Sequence, residues 1–272
     1  MRGRLRGLSG KTLPVPGAFN AASALMIERA GFEALYVSGA GLSNSNGLPD
    51  VGLLTLEDTV RLASSIIKAV EIPVIVDIDT GFGDTTEVKE AVRRFEEAGA
   101  EAVQIEDQEF PKKCGHLPGK RVVPPGEFAE KIKAAASARQ DKDFLIIART
   151  DSRAVAGLGD AVERANLYIE AGADMIFPEA LETKEEFREF SKRVNAPLMA
   201  NMTEFGKTPY ITMDEFSEMG YSIVIFPMTC FRIAMKAIEG ALKELKASGT
   251  QRNLLDRMQT REELYRLLKY EG

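Results

Sequence analysis

The sequence predicts an α/β fold, a (β/α)8 TIM-type barrel with extra C-terminal helices. Three observations lead there. First, a helix-period stretch ends in a glycine and runs into a short apolar segment four times. These junctions are Arg29-Ala30-Gly31-Phe32-Glu33, Glu97-Ala98-Gly99-Ala100-Glu101, Glu170-Ala171-Gly172-Ala173-Asp174 and Glu218-Met219-Gly220-Tyr221-Ser222. Second, four more apolar runs of the same kind lie between them. Third, the helix–strand order never breaks into two composition zones, which favours closure of one parallel sheet. An open doubly wound sheet is the alternative, but no strand–turn–helix Gly-x-Gly-x-x-Gly supports it.

In chain order the predicted strands are 14–19, 34–37, 73–79, 102–105, 145–149, 175–177, 197–201 and 223–226. Each is short, β-branched and nearly continuous in apolar residues, as a strand buried on both faces should be. Three begin at or beside a proline, a residue suited to a strand's first position. In the helix that precedes Gly99, Val88, Ala91, Val92, Phe95 and Ala98 share one face. The glycine then takes the left-handed conformation that ends a helix. Later helices open on boxes of the form Thr-x-x-Glu at Thr183…Glu186, Thr212…Glu215 and Thr260…Glu263. The expected organisation is a catalytic barrel over residues 1–247 and a C-terminal helical extension over 248–272, placed to pack on a neighbouring subunit.

Composition narrows the function. The 272 residues carry 35 Lys+Arg against 41 Asp+Glu, a net charge of −6, with no long run of either sign. A nucleic-acid or membrane partner needs a basic face, so neither is expected, and a small molecule is the predicted partner. Two cysteines form no disulfide framework and suit a reducing cytoplasm. The N-terminal arginines lack the apolar stretch of a secretory leader, and no run has the length of a membrane helix. A single histidine excludes sites built on several imidazoles, so any metal must be held by oxygen.

Barrel chemistry collects at the C-terminal strand ends. Those ends carry Ser38-Gly39, Asp77-x-Asp79, Glu106-Asp107, Arg149, Glu179 and Asn201-x-Thr203, groups costly to bury unless paired or bound to something. Structural salt bridges around the rim are the plainer alternative. Asp77 and Asp79, two apart on a strand, point the same way. A divalent cation is the simplest way to keep both ionised, and Glu106 from the next strand completes a hard oxygen site for Mg²⁺ or Mn²⁺. Alternatively, one of the pair merely caps the next helix.

The loop Lys112-Lys113-Cys114-Gly115-His116 concentrates the remaining chemistry. Gly115 allows close backbone approach, and positive neighbours stabilise a thiolate or an anionic substrate, making Cys114 a candidate acid–base group. A basic surface loop is the alternative; zinc needs more Cys or His than the chain has. Cys230 reads as a buried hydrophobe. Arg149 and Arg232 are candidate carboxylate clamps, Arg232 being equally an ordinary helix arginine. Arg261 reaches the site only if the tail folds back. Asp50 lies in a long loop that closes over substrate or is a plain turn.

These residues carry a resemblance. Lys112 to His116 resembles the signature of the isocitrate lyase/phosphoenolpyruvate mutase superfamily. Tyr36-Val37-Ser38-Gly39, Gly47-Leu48-Pro49-Asp50, Asp77 to Gly83, Ile105-Glu106-Asp107-Gln108, Ala148-Arg149-Thr150-Asp151, Phe177-Pro178-Glu179, Ala200 to Gly206 and Met258-Gln259-Thr260-Arg261 are most similar to its methylisocitrate lyase branch. The likeness runs from about Pro14 to Tyr270. Isocitrate lyases proper share the Cys loop but are longer and lack the Phe177-Pro178-Glu179 and Asn201-x-Thr203-Glu204-Phe205 patterns. Ala40 stands where many members have glycine, and Asn20 replaces a common acidic residue.

The resemblance implies a Mg²⁺-dependent homotetramer whose last helices swap between subunits, cleaving 2-methylisocitrate to pyruvate and succinate in the methylcitrate cycle of propionate catabolism. Other superfamily reactions are isocitrate cleavage, phosphonomutase chemistry and oxaloacetate decarboxylation. By the same resemblance Cys114 protonates the succinate carbanion, with Lys112 and His116 setting its proton affinity. Asp77, Asp79 and Glu106 hold the metal, and Arg149 clamps the pyruvyl part. Ser38, Gly39, Asn201, Thr203 and Arg232 orient carboxylates, with Ala40, Gly115, Glu179 and Arg261 also contacting substrate. Tyr36 is the expected base, with Asp50 beside it among the catalytic residues.

Overall fold

The computed structural model describes residues 4–7 and 11–270. Eight strands alternate with helices: β1 Leu13–Ala18, β2 Leu35–Val37, β3 Val74–Asp77, β4 Ala102–Glu106, β5 Leu145–Thr150, β6 Met175–Pro178, β7 Met199–Asn201 and β8 Ile223–Phe226. All ladders are parallel, in the order β6-β5-β4-β3-β2-β1-β8-β7. A further parallel bridge, Ile176 to Leu198, joins the two ends of that order, so the sheet wraps into the expected barrel.

Strand alternation divides the core in two. Inward-facing Val15, Tyr36, Ile75, Ala102, Ile147, Phe177, Met199 and Ile225 pack inside the barrel. Outward-facing Val37, Val76, Val103, Ile146, Ile176 and Val224 pack against the helices. The inward series continues upward on β3 to Asp77, on β4 through Gln104 to Glu106, and on β5 to Arg149. The same alternation that fills the floor therefore delivers charge to the mouth. Below, Leu5 of the short helix Arg4–Gly7 packs on the inner core, and Arg6 reaches Asp174 at 2.5 Å.

The junction glycines have positive φ: 87° at Gly31, 98° at Gly99, 108° at Gly172 and 80° at Gly220. The Thr212 and Thr260 boxes form as expected. At Thr183 only half of the box forms: the hydroxyl accepts from the Glu186 N–H, but the Glu186 carboxylate takes the Glu182 N–H and Arg153 instead. Asn20 caps the helix Ala21–Arg29 with a full box, which an amide does as well as a carboxylate.

The helix Thr229–Ser248 has no buried residue and exposes Ile233, Met235, Ile238, Leu242 and Leu245. Beside its start lies an apolar groove lined by Pro16, Phe19, Met26, Phe32, Phe226 and the half-buried Cys230. No helix among the described residues is long and apolar enough to cross a membrane.

Candidate active site

The barrel mouth opens into a cavity of about 370 Å³, room for a small polycarboxylate. Tyr36, Ser38, Ala40, Asp50, Asp77, Lys112, Cys114, Gly115, His116, Arg149, Glu179, Asn201, Thr203 and Arg232 line it. Of the other predicted residues, Gly39, Asp79 and Glu106 sit directly behind this lining. Arg261 does not join them. It is exposed on the helix Arg261–Leu267, which packs against the outer helix Ala21–Arg29, so the tail does not fold over its own barrel's mouth.

On one side the carboxylates converge. The Gly39 N–H donates to Asp77 Oδ2 at 3.1 Å, and the Asp79 N–H to Asp77 Oδ1 at 3.1 Å. A methyl on Gly39 would stand 2.9 Å from Asp79 Oδ1 and 3.3 Å from Asp77 Oδ2, so only glycine lets both acids reach this point. Asp79 lies beyond the end of β3 at φ 49°; the turn, not strand alternation, aims it. Neither acid is spent on the next helix, which Asp84 caps.

Burial, and then the Asp79 charge, raises the Asp77 carboxyl to about 6. Burial pushes Glu106 well above the usual carboxylate range, against the pull of Arg149 and Lys112. Both Glu106 oxygens, Asp79 Oδ1 and Asp50 Oδ1 are buried without an aligned hydrogen bond. The Lys112 ammonium offsets part of this charge, 2.5 Å from Asp50 and 2.6 Å from Asp79. Among the described residues, no three of His, Cys, Asp and Glu enclose a cation by themselves. These hard oxygens nevertheless fit a divalent ion that takes further ligands from substrate or water.

On the other side Arg149 gathers charge. Its Nε donates to Asp151 Oδ2 at 2.8 Å and lies 3.3 Å from Glu106, and it stacks 5.1 Å from the Phe177 ring centroid. Burial works against the guanidinium, but Asp151, Glu179 and Glu106 hold it protonated. Glu179 is likewise buried, yet Arg149, His116 and Lys120 keep it well below the ordinary carboxylate range. The Asn201 amide donates to Glu179 at 3.3 Å and accepts the Thr203 N–H at 2.9 Å. Ser38 heads the helix Gly39–Ser45 without spending its hydroxyl on the cap.

The Cys loop folds over this pair. A methyl on Gly115 would lie 2.5 Å from both Arg149 Nη2 and Glu179 Oε1, so the backbone rests directly on them. His116 Nδ1 accepts the Lys207 N–H at 3.0 Å, which leaves Nε2 to carry the proton 2.9 Å from Glu179 Oε1. Lys112 is occupied by Asp50 and Asp79, and Lys113 donates to Gly119 O at 3.0 Å, so neither lysine promotes a Cys114 thiolate. Burial instead raises the Cys114 thiol, with only the His116 backbone N–H and Arg149 opposing. Burial, then Asp77, raises the Tyr36 phenol well above the ordinary value, and its hydroxyl donates to Gln104 Oε1 at 2.6 Å. Arg232 is half exposed, 3.4 Å from Glu204 at the rim.

Sequence reasoning missed the support beneath these groups. Asp107, raised to about 6 by burial and by Asp151, accepts from Thr150, Tyr168 and the Asp151 N–H. Arg164 adds a contact at 3.3 Å. Asp107 and Asp151 both stand in the motifs quoted for the resemblance. Lys120, in an ordinary Gly-Lys-Arg run, gave no signal.

The phosphoenolpyruvate phosphomutase family profile matches residues 5–246. The 2-methylisocitrate lyase of Aeropyrum pernix is 58% identical over 255 residues, 94% of this chain and 82% of that protein. A crystal structure of 2,3-dimethylmalate lyase superposes with a TM-score of 0.92 at 36% identity, covering 97% of this chain and 89% of the other. Phosphonopyruvate hydrolase in complex with oxalate and Mg²⁺ superposes at 0.90 with 32% identity, covering 99% and 95%.

Proposed function

The chain belongs to the isocitrate lyase/phosphoenolpyruvate mutase superfamily, and from that premise we propose that it cleaves 2-methylisocitrate to pyruvate and succinate with a divalent cation, Mg²⁺ or Mn²⁺. The observation that carries this reading is Cys114, a thiol kept protonated by burial in a loop seated on Arg149 and Glu179. As the hydroxyl gives up its proton to water, cleavage of the bond between the hydroxyl-bearing carbon and its neighbour leaves a carbonyl on pyruvate and an electron pair on succinate. That carbanion takes a proton from a group that is protonated before the bond breaks; Cys114 supplies it, and water returns a proton to the thiolate.

Asp77, Asp79 and Glu106 would hold the cation, which would supply Lewis-acid stabilisation of the developing oxyanion. Arg149 pairs with the pyruvyl carboxylate, its fork oriented by Asp151. The Tyr36 hydroxyl, already donating to Gln104, accepts a hydrogen bond from the substrate and orients it. Ser38, Asn201, Thr203 and Arg232 offer donors for the remaining carboxylates.

The assembly reading is a homotetramer in which a second copy covers the apolar face of Thr229–Ser248 and the groove beside it; only such a neighbour brings Arg261 near a site. Light scattering on the purified protein tests it, a monomer being the adverse result. Activity is tested by pyruvate release from 2-methylisocitrate, coupled to lactate dehydrogenase, with Mg²⁺ and with EDTA. Glyoxylate release from isocitrate runs in parallel. Mg²⁺-dependent pyruvate at the higher kcat/KM is expected. Faster glyoxylate overturns the substrate, and pyruvate undiminished by EDTA overturns the metal.

A further inference from the structure

Lys120 enters above only as one of the charges that keep Glu179 low, yet it is one of the most enclosed charges among the described residues. Its side chain is 1% exposed although it belongs to a loop. An ammonium is buried at such cost only where partners satisfy it. Here Nζ donates to Asp151 Oδ1 at 2.6 Å and to Gly115 O at 2.5 Å. Asp151 also accepts from Arg149, at 2.8 and 3.2 Å, so one carboxylate ties Lys120 to the clamp under the loop.

The second bond matters more for the chemistry. Gly115 O belongs to the same peptide unit as the His116 N–H, directly after Cys114, and that N–H is the group that most opposes the upward shift of the Cys114 thiol. In a trans peptide the C=O and N–H point in opposite directions. Holding the oxygen at Lys120 therefore fixes the direction of the N–H beside the thiol. A cation on the oxygen also polarises the peptide and strengthens the N–H as a donor.

We infer that Lys120 is a positioning residue, gripping the Gly115–His116 peptide so that its N–H fixes the place and proton affinity of Cys114. The inference deepens the lyase reading and rests on Cys114 as its proton donor. The stem of the loop is fastened independently. Val123 N–H donates to Asp107 O at 2.9 Å, and Arg164 donates to Val123 O at 2.8 Å. Loss of the Lys120 ammonium thus loosens the Gly115–His116 peptide, while His116 keeps its bond from Lys207 and the stem stays in place.

The test is the pH dependence of Cys114 alkylation by iodoacetamide, followed on the Cys114 peptide by mass spectrometry to separate it from Cys230. In Lys120→Met the midpoint moves upward, because the thiolate loses its peptide donor. Lys120→Arg, which keeps a cation, brings it back toward the parent value. Pyruvate formation by Lys120→Met loses about 100-fold in kcat, the scale of a misplaced catalytic group, with a smaller change in KM. An unmoved midpoint in folded Lys120→Met overturns the inference. Should that variant not fold, the His116 amide of the unmodified chain decides: slow hydrogen exchange supports the grip and free-loop exchange overturns it. Alkylation needs no turnover. A moved midpoint without pyruvate from the parent chain sustains the grip and removes the lyase reading; normal turnover with an unmoved midpoint does the reverse.

Discussion

Ile147 and Arg149 stand two residues apart on the inner face of β5; one is wholly buried among apolar side chains and the other is 8% exposed among three carboxylates. Floor and mouth of the barrel are thus one surface, built by one alternation, and they are stabilised in opposite ways. The floor gains from every apolar atom removed from water. The mouth gains only if each buried charge keeps its partner, because an unpaired ion in that setting is strongly unfavourable. The floor tolerates loss of a group in proportion to its volume; the mouth responds to a single atom's position.

The largest expected effect sharpens that contrast. Cys114→Ser changes one atom, leaves the melting temperature nearly unchanged, and lowers kcat by about 10³-fold, within the range for a missing general acid. In the parent chain kcat should stay level through neutral pH and fall only above the ordinary thiol range near about 8.5, since burial raises the Cys114 thiol and only the protonated form donates. A decline beginning below neutrality would mean that a different acid is used. Ile147→Ala reverses the pattern at the floor. Urea denaturation should show a loss of about 2–5 kcal/mol, while the folded fraction keeps near-parent kcat/KM. A large kinetic defect without destabilisation would break the division into floor and mouth. The smallest effect lies outside both regions: Thr212→Ala removes the cap of Met213–Glu218 and should cost about 1 kcal/mol with no kinetic change.

Much of the barrel was legible because its signals are local. Gly31, Gly99, Gly172 and Gly220 each mark a helix end whatever the helix packs on, and the apolar runs after them became strands. The predicted strand 73–79 overran, because Asp79 turns out of the ladder after Asp77. The crossover from β2 to β3 holds two helices, Gly39–Ser45 and Leu56–Ile67, where a single helix was expected. Residue types at strand ends identified Ser38, Asp77, Arg149, Glu179, Asn201 and Thr203 of the cavity lining. Their pairings were not legible. Lys112 lies two residues from Cys114, yet its ammonium goes to Asp50 and Asp79.

The sequence by itself determined the alternation of helix and strand, the facing of each strand, and which chemistry stands at the mouth, since these follow from backbone sterics and side-chain periodicity within a few residues. Only the tertiary structure decided which charge meets which. Lys120 meets Asp151 31 residues away, and Asn201 meets Glu179 22 residues away. The tail helix that carries Arg261 rests on the outside of its own barrel. Such pairings depend on where closure of the sheet brings distant strand ends, and on which partner offsets the loss of hydration there, terms that no local stretch of sequence contains.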